Sequence, residues 1–272
     1  MKYIVQLLLL SILTLACAQK EKKEAVEEVS IKGEEIAYTA NDVTMNGYIA
    51  YNENVEGKRP GILVVHEWWG HNEYTRKRAN MLAELGYVAI AVDMYGNGKK
   101  AEHPEDAQKF SSNVMGNFED AKDRFNAAIE TLKGNPNVDQ NKIGAIGYCF
   151  GGSVILSMAN AGIDLDGVAA FHAGLQLPVM PKDTLRSRVI VMNGADDPFV
   201  TAEQVENFTG AMEKANADFQ FINYEGAVHA YTNPGATELG EKFNLPLAYN
   251  AEADSASWEE MKKFFNTTFP SK

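Results

Sequence analysis

Cysteine is nearly absent from the chain: there are two in 272 residues, Cys17 and Cys149. One bridge is the most they could form, so a disulfide framework is excluded as the basis of the fold. Basic charge is also in short supply. Lys and Arg total 25 against 37 Asp and Glu, for a formal net charge of −12. Binding to a phosphate backbone needs a basic surface, so the balance excludes a nucleic-acid partner. Past residue 15 no apolar run reaches the length of a membrane span. No internal repeat or break in composition divides the chain after residue 40.

What is present begins with an address. Met1-Lys2-Tyr3 supplies a short positive start, and Ile4 to Leu15 is apolar except for Gln6, Ser11 and Thr14. Ala16-Cys17-Ala18 then offers small residues at a cleavage point. This is the pattern of a secretory signal peptide, too short to span a bilayer stably. The cysteine at its end makes it similar to a bacterial lipoprotein signal, in which residues 1–16 are removed and Cys17 carries the lipid. Thr14 stands where such signals usually have leucine, and plain secretion with cleavage after Ala18 is the competing reading. The lipoprotein is favoured because an unpaired cysteine is otherwise out of place there. The expected location is the cell envelope, with the membrane reached only through this anchor; a soluble periplasmic or secreted protein is the alternative. Residues 17–35, rich in Lys and Glu with little apolar content, read as a flexible charged tether. Residues 36–272 read as one folded domain.

Within that domain short apolar runs alternate with amphipathic segments. Gly61–Val65 and Tyr87–Val92 have the length and composition of buried strands, Gly167–Phe171 and Arg188–Asn193 read as two more short apolar strands, and Lys142–Gly147 and Phe219–Tyr224 as further strands. Glu34–Tyr51 reads as one or two leading strands. Helices are predicted over Asn72–Leu85, Asn117–Lys133, Ser153–Ala161, Thr201–Asn216 and Ser255–Phe269, while Asn97–Met115 reads as a charged loop with a short helix. Such alternation specifies an α/β fold with a mainly parallel sheet and helices on both faces.

Three positions carry the chemistry. Gly147-Tyr148-Cys149-Phe150-Gly151 is a nucleophile-elbow pattern with cysteine in the serine position. The turn is tight, so bulk is excluded two residues to either side, and a helix N-terminus favours a thiolate. The bland alternative is a buried, inert cysteine. A nucleophile needs a base, and the base an orienting acid. In parallel sheets such groups collect at the carboxyl ends of strands. Asp196-Asp197-Pro198 follows one predicted strand and His229 follows the next. Nucleophile, acid, base is the chain order of the α/β-hydrolase fold.

On Gly61-Ile-Leu-Val-Val-His-Glu-Trp-Trp-Gly70, Ala91-Val-Asp-Met-Tyr-Gly96, Ile146-Gly-Tyr-Cys-Phe-Gly-Gly152, Gly194-Ala-Asp-Asp-Pro-Phe-Val200 and Ala227-Val-His-Ala-Tyr-Thr-Asn-Pro-Gly235, the chain resembles the dienelactone hydrolase family. The resemblance implies Cys149 as nucleophile, His229 as base and Asp197, rather than Asp196, as acid. It also implies that Glu67 sits beside the resting thiol and helps convert it to thiolate. The backbone N–H groups of Phe150 and Trp68 would form the oxyanion hole. Trp69, Tyr148, Phe199 and Tyr231 are expected to line a substrate pocket. The implied reaction is hydrolysis of a small-molecule ester or lactone through a thioacyl-enzyme, with no metal or cofactor. Asn233 stands where members acting on carboxylated dienelactones have arginine, which favours a broader ester, lactone or thioester substrate. His66-Glu67-Trp68-Trp69-Gly70-His71 is one residue too long between glutamate and second histidine for a helical zinc motif. Two other classes stay open at this point: a binding protein that keeps the fold, and a thiol redox protein using Cys149, although no resolving cysteine accompanies it.

Overall fold

A computed structural model describes residues 29–182 and 185–270; the predicted signal peptide and Cys17 lie outside the described residues. In chain order the elements are β1 (Ile31–Ala40), β2 (Val43–Asn52), β3 (Arg59–Val65), α1 (Glu73–Glu84), β4 (Val88–Val92), α2 (Pro104–Gly116), α3 (Phe118–Lys133) and β5 (Val138–Tyr148). They continue with α4 (Phe150–Asn160), β6 (Gly167–Phe171), β7 (Arg188–Gly194), α5 (Ala202–Lys214), β8 (Phe219–Tyr224), α6 (Ala236–Phe243) and α7 (Ala251–Thr268). The strands form an eight-stranded sheet in the order β1-β2-β4-β3-β5-β6-β7-β8. β3 to β8 run parallel, and β2 is antiparallel to both its neighbours, so β1 points the same way as the parallel set.

The period of two in a strand explains how one sheet supports two cores. Leu63 and Val65 of β3, with Val88, Ile90 and Val92 of β4, face the side packed by Phe125 and Leu132 of α3, Val154 of α4 and Phe208 of α5. The intervening Ile62, Val64, Ala89 and Ala91 face Leu82 of α1 and Met261, Phe264 and Phe265 of α7. Each fully buried side chain of this size contributes about 1.5–3 kcal/mol. Capping fixes where helices start. Asn72 accepts from the backbone N–H groups of Tyr74 and Thr75, and Thr201 and Gln204 form a reciprocal capping box before α5.

The chain leaves β3 for β4 on one side and later returns to β5 on the other, so the strand order reverses between β3 and β5. A crevice opens at the carboxyl ends of strands at such a point. Glu67 follows β3 and Cys149 follows β5.

Three expectations are corrected. The charged tether does not extend to residue 35: β1 begins at Ile31 and pairs in register with β2 from Ile31↔Asn52 to Ala40↔Val43. Its Lys and Glu are the polar residues of an edge strand, where charge discourages further pairing. Asn97–Met115 is mostly the thirteen-residue α2, capped by His103 with Pro104 at its first turn. The helix after the elbow starts at Phe150 rather than Ser153, because Gly151 and Gly152 are tolerated there by close packing rather than by loop conformation.

Candidate active site

Cys149 occupies the single residue between β5 and α4, with φ 53° and ψ −116°. A non-glycine residue held at positive φ stores about 1–3 kcal/mol of strain, which the surrounding packing must maintain. The two flanking glycines make the turn possible. A Cβ on Gly147 would lie 2.2 Å from the carbonyl oxygen of Gly151, and one on Gly151 would lie 2.3 Å from that of Val65. No side chain fits either place. The Cys149 N–H donates to the Phe171 carbonyl at 3.0 Å, which ties the elbow to β6.

The thiol meets a relay. His229 Nε2 lies 3.0 Å from Cys149 Sγ, and His229 Nδ1 lies 2.7 Å from Asp197 Oδ2. Both His229 and Asp197 are buried, whereas Asp196 is exposed. Asp197 is therefore the aspartate of the pair that reaches the imidazole. Its other oxygen accepts from the Phe199 N–H at 2.9 Å, which fixes the carboxylate plane. Burial alone would push the His229 pKa down, but the Cys149 sulfur and the Asp197 carboxylate override it and raise it to about 10. Both contacts of His229 therefore favour its imidazolium form.

Glu67 is 2% exposed, and its Oε2 accepts from Asn233 Nδ2 at 2.6 Å. Burial raises its pKa to about 7, against the opposing effects of the Asn233 bond and of nearby His229 and Arg78. It is not a surface glutamate paired with a neighbouring arginine. Arg76 pairs with Glu35 and Glu73, and Arg78 with Asp254. Glu67 is bonded to Asn233, while the thiol is bonded to His229.

Two backbone N–H groups are candidates to stabilise an oxyanion. Phe150 opens α4, where an N–H has no acceptor within the helix. The second belongs to the Glu67–Trp68 peptide, which His66 holds in place. His66 Nε2 accepts from the Met94 N–H at 3.2 Å, so the ring proton sits on Nδ1 and is donated to the Glu67 carbonyl at 2.5 Å. Burial lowers the His66 pKa to about 4, which keeps this neutral tautomer at pH 7. The Tyr95 hydroxyl donates to the next carbonyl, that of Trp68, at 2.7 Å. Because carbonyl and N–H of one peptide point in opposite directions, fixing the Glu67 oxygen fixes the Trp68 N–H.

In front of Cys149 lies a cavity of about 510 Å³. Its walls include Trp68, Phe150, Phe199 and Leu247, with Ser111 and Met115 contributed by α2. Among the described residues no Asp, Glu, Lys or Arg lines it.

The amino-acid sequence matches the profile of the dienelactone hydrolase family over residues 45–269. The chain belongs to the dienelactone hydrolase family. Members of this family are hydrolases of ester or lactone bonds. A protein of Aquifex aeolicus that carries the provisional name carboxymethylenebutenolidase is 27% identical over 240 residues, covering 86% of this chain and 98% of its own. Among solved structures, one named m3DLH is 35% identical with a TM-score of 0.83, covering 88% of this chain and 99% of that one. A dienelactone hydrolase-like promiscuous phosphotriesterase, P91, from metagenomic libraries is 30% identical with a TM-score of 0.81 at the same coverages. The dienelactone hydrolase α/β-hydrolase fold is thereby shown for this chain.

Within this family member the aromatic lining differs from expectation. Of Trp69, Tyr148, Phe199 and Tyr231, Phe199 alone lines the cavity, its ring edge-on to His229 at 5.1 Å. Tyr148 precedes the nucleophile in a strand, so its side chain points to the other face, stacked on Phe171 at 4.8 Å. Trp69 is stacked on Phe243 of α6, and the Tyr231 hydroxyl donates to the Met192 carbonyl. The α2 wall was missed because its buried stripe is only Ala107 and Val114, too thin to stand out among charged residues. His66 carried a signal of another kind: a buried-strand end followed by histidine.

Proposed function

We propose that this chain hydrolyses uncharged carboxylic esters or lactones through a Cys149–His229–Asp197 triad and a thioacyl-enzyme. The observation that carries the reading is the relay of 3.0 Å from Sγ to Nε2 and 2.7 Å from Nδ1 to Oδ2. The Cys149 thiolate attacks the carbonyl carbon, and the oxygen takes up negative charge facing the Phe150 and Trp68 N–H groups. Collapse expels the alkoxide, which takes its proton from the His229 imidazolium. His229, now neutral, removes a proton from water; the resulting hydroxide attacks the thioester, and the thiolate leaves as the acid forms. Glu67, with a pKa near neutrality, exchanges a proton with the site between turnovers.

The preference for uncharged substrates follows from the cavity. With a net charge of −12 and no Lys or Arg among the described residues of the lining, a substrate carboxylate would meet no cation but His229, which Cys149 and Asp197 already engage, and would lose its hydration. Neutral and carboxylated esters and lactones should be compared on wild type, Cys149→Ala and His229→Ala. Hydrolysis lost in both variants and stronger on neutral esters supports the reading. Turnover that survives Cys149→Ala, or that requires a substrate carboxylate, overturns it.

Attachment to the cell envelope by a lipid on Cys17 is part of the same proposal and rests on the sequence pattern at residues 1–18. Labelled fatty acid should be incorporated into wild type and lost in Cys17→Ala. Label retained in the variant would refute it.

A further inference from the structure

The cavity in front of Cys149 does not end at its own walls. A second cavity, of about 610 Å³, opens beside it between the carboxyl end of α2, the segment after β6 and the first turns of α5. Ser112, Met115 and Gln176 line both spaces, so the two meet along a shared boundary. Beyond that boundary the outer space is walled by Leu175, Leu177 and Met180 on one side and by Gln204 and Asn207 of α5 on the other.

Its chemistry continues that of the inner cavity. Among the described residues no Asp, Glu, Lys or Arg lines the outer space either, in a chain where 23% of residues are charged. The apolar groups come from Leu175, Leu177 and Met180, and the polar ones are amides and hydroxyls. Gln204 gives its side-chain oxygen to the Thr201 N–H, and Ser112 Oγ accepts from Gln108 at 2.9 Å. The Gln204 amide N–H groups and the Ser112 hydroxyl proton remain as donors. A surface with methyl and methylene groups and neutral donors fits an apolar chain interrupted by oxygen acceptors, not an ion.

We infer that the outer cavity is a distal subsite for the arm of an elongated, uncharged ester whose scissile carbonyl lies at Cys149. This rests on the esterase reading above, and it adds a substrate shape. Binding energy gained far from the reacting carbonyl can be used to position it, so the subsite should act on kcat/KM. Each methylene buried there is worth about fourfold in affinity, and two about fifteenfold.

The test uses two homologous series of neutral esters: p-nitrophenyl esters of lengthening acyl chain, and alkyl acetates of lengthening alcohol followed by acid release. Each is measured on wild type and on Asn207→Trp and Leu177→Trp, which fill the outer cavity without touching the inner one. In one of the two series kcat/KM should rise with chain length in wild type. Both variants should lower it about tenfold for long members and leave the acetate of the shortest alcohol, or p-nitrophenyl acetate, within twofold. Kinetics on that short ester also report whether the variants are folded. Flat length dependence in both series, or equal loss on short and long members, overturns the subsite while leaving the esterase intact. Absence of Cys149-dependent turnover on every ester would instead sink the reading beneath it.

Discussion

Asn233 donates its side-chain N–H to Oε2 of Glu67 across 2.6 Å, in a place where neither residue is more than 8% exposed. One neutral donor is a modest partner for a buried carboxylate, and it leaves Glu67 with a pKa raised to about 7 by burial. Between the unfolded value of about 4.5 and the folded value, the native state holds a proton that the unfolded state has released. Stability is therefore lost as pH rises through that window, up to about 3 kcal/mol, and is constant above it. Glu67→Gln, which copies the protonated form, should unfold at a higher temperature than wild type at pH 8 and at nearly the same temperature at pH 4.5. A difference that does not change with pH would show that Glu67 does not titrate there.

The acid of the relay makes a separate prediction. Asp197→Asn keeps the shape at the 2.7 Å contact but removes the charge that helps hold the His229 proton. kcat/KM should fall by about 10³–10⁴-fold. The alkaline limb of its pH profile should begin at lower pH, because His229 then gives up its proton more easily. An alkaline limb unmoved by the substitution would assign that limb to another group.

His66 is predicted to be a positioning residue. It touches no substrate, yet its Nδ1–H holds the Glu67 carbonyl at 2.5 Å and so aims the Trp68 N–H. His66→Ala should lower kcat by about tenfold or more with KM within twofold, as expected when a donor used only in the transition state is misaligned. His66→Gln, whose amide can donate to the same carbonyl, should recover part of the loss. Equal kcat in the two variants would remove the role.

Arg78 anchors the histidine loop from behind. Its Nη2 donates to Asp254 Oδ1 at 2.5 Å and to the Thr232 carbonyl at 2.7 Å, and its guanidinium lies over the rings of Tyr74, Tyr148 and Trp258. Arg78→Met would fill the space but leave Asp254 without its counter-charge. Urea unfolding should show a loss of about 3–5 kcal/mol. A loss below about 1 kcal/mol would mean that Asp254 is rehydrated in the variant.

Legibility in the sequence followed the physics of each element. Strands buried on both faces announce themselves as unbroken apolar runs, as Gly167–Phe171 does, and the edge strand Phe219–Tyr224, with Gln220 and Asn223 exposed, also has the predicted bounds. Cys149, Asp197 and His229 could be read because each follows a predicted strand, and the geometry brings them together. Aromatic residues near the elbow misled, since closeness in sequence does not say which face of the sheet a ring occupies. Tyr148 and Phe150 bracket the nucleophile, and only Phe150 lines the cavity. α6 gave no strong signal because its eight residues bury only Ala236 and Gly240. The Glu67–Asn233 bond joins positions 166 residues apart, a separation across which a sequence pattern has no reach.

The direction of β1 has a bearing on how the molecule would be mounted. That strand enters the sheet at Ile31 on the rim where the parallel strands begin, and Cys149, Asp197 and His229 all follow strands on the opposite rim. Anything that grips the protein ahead of Ile31 holds it by its blind end. Whatever is joined there, a bead or a fusion partner, is attached to the rim away from the mouth and need not cover it.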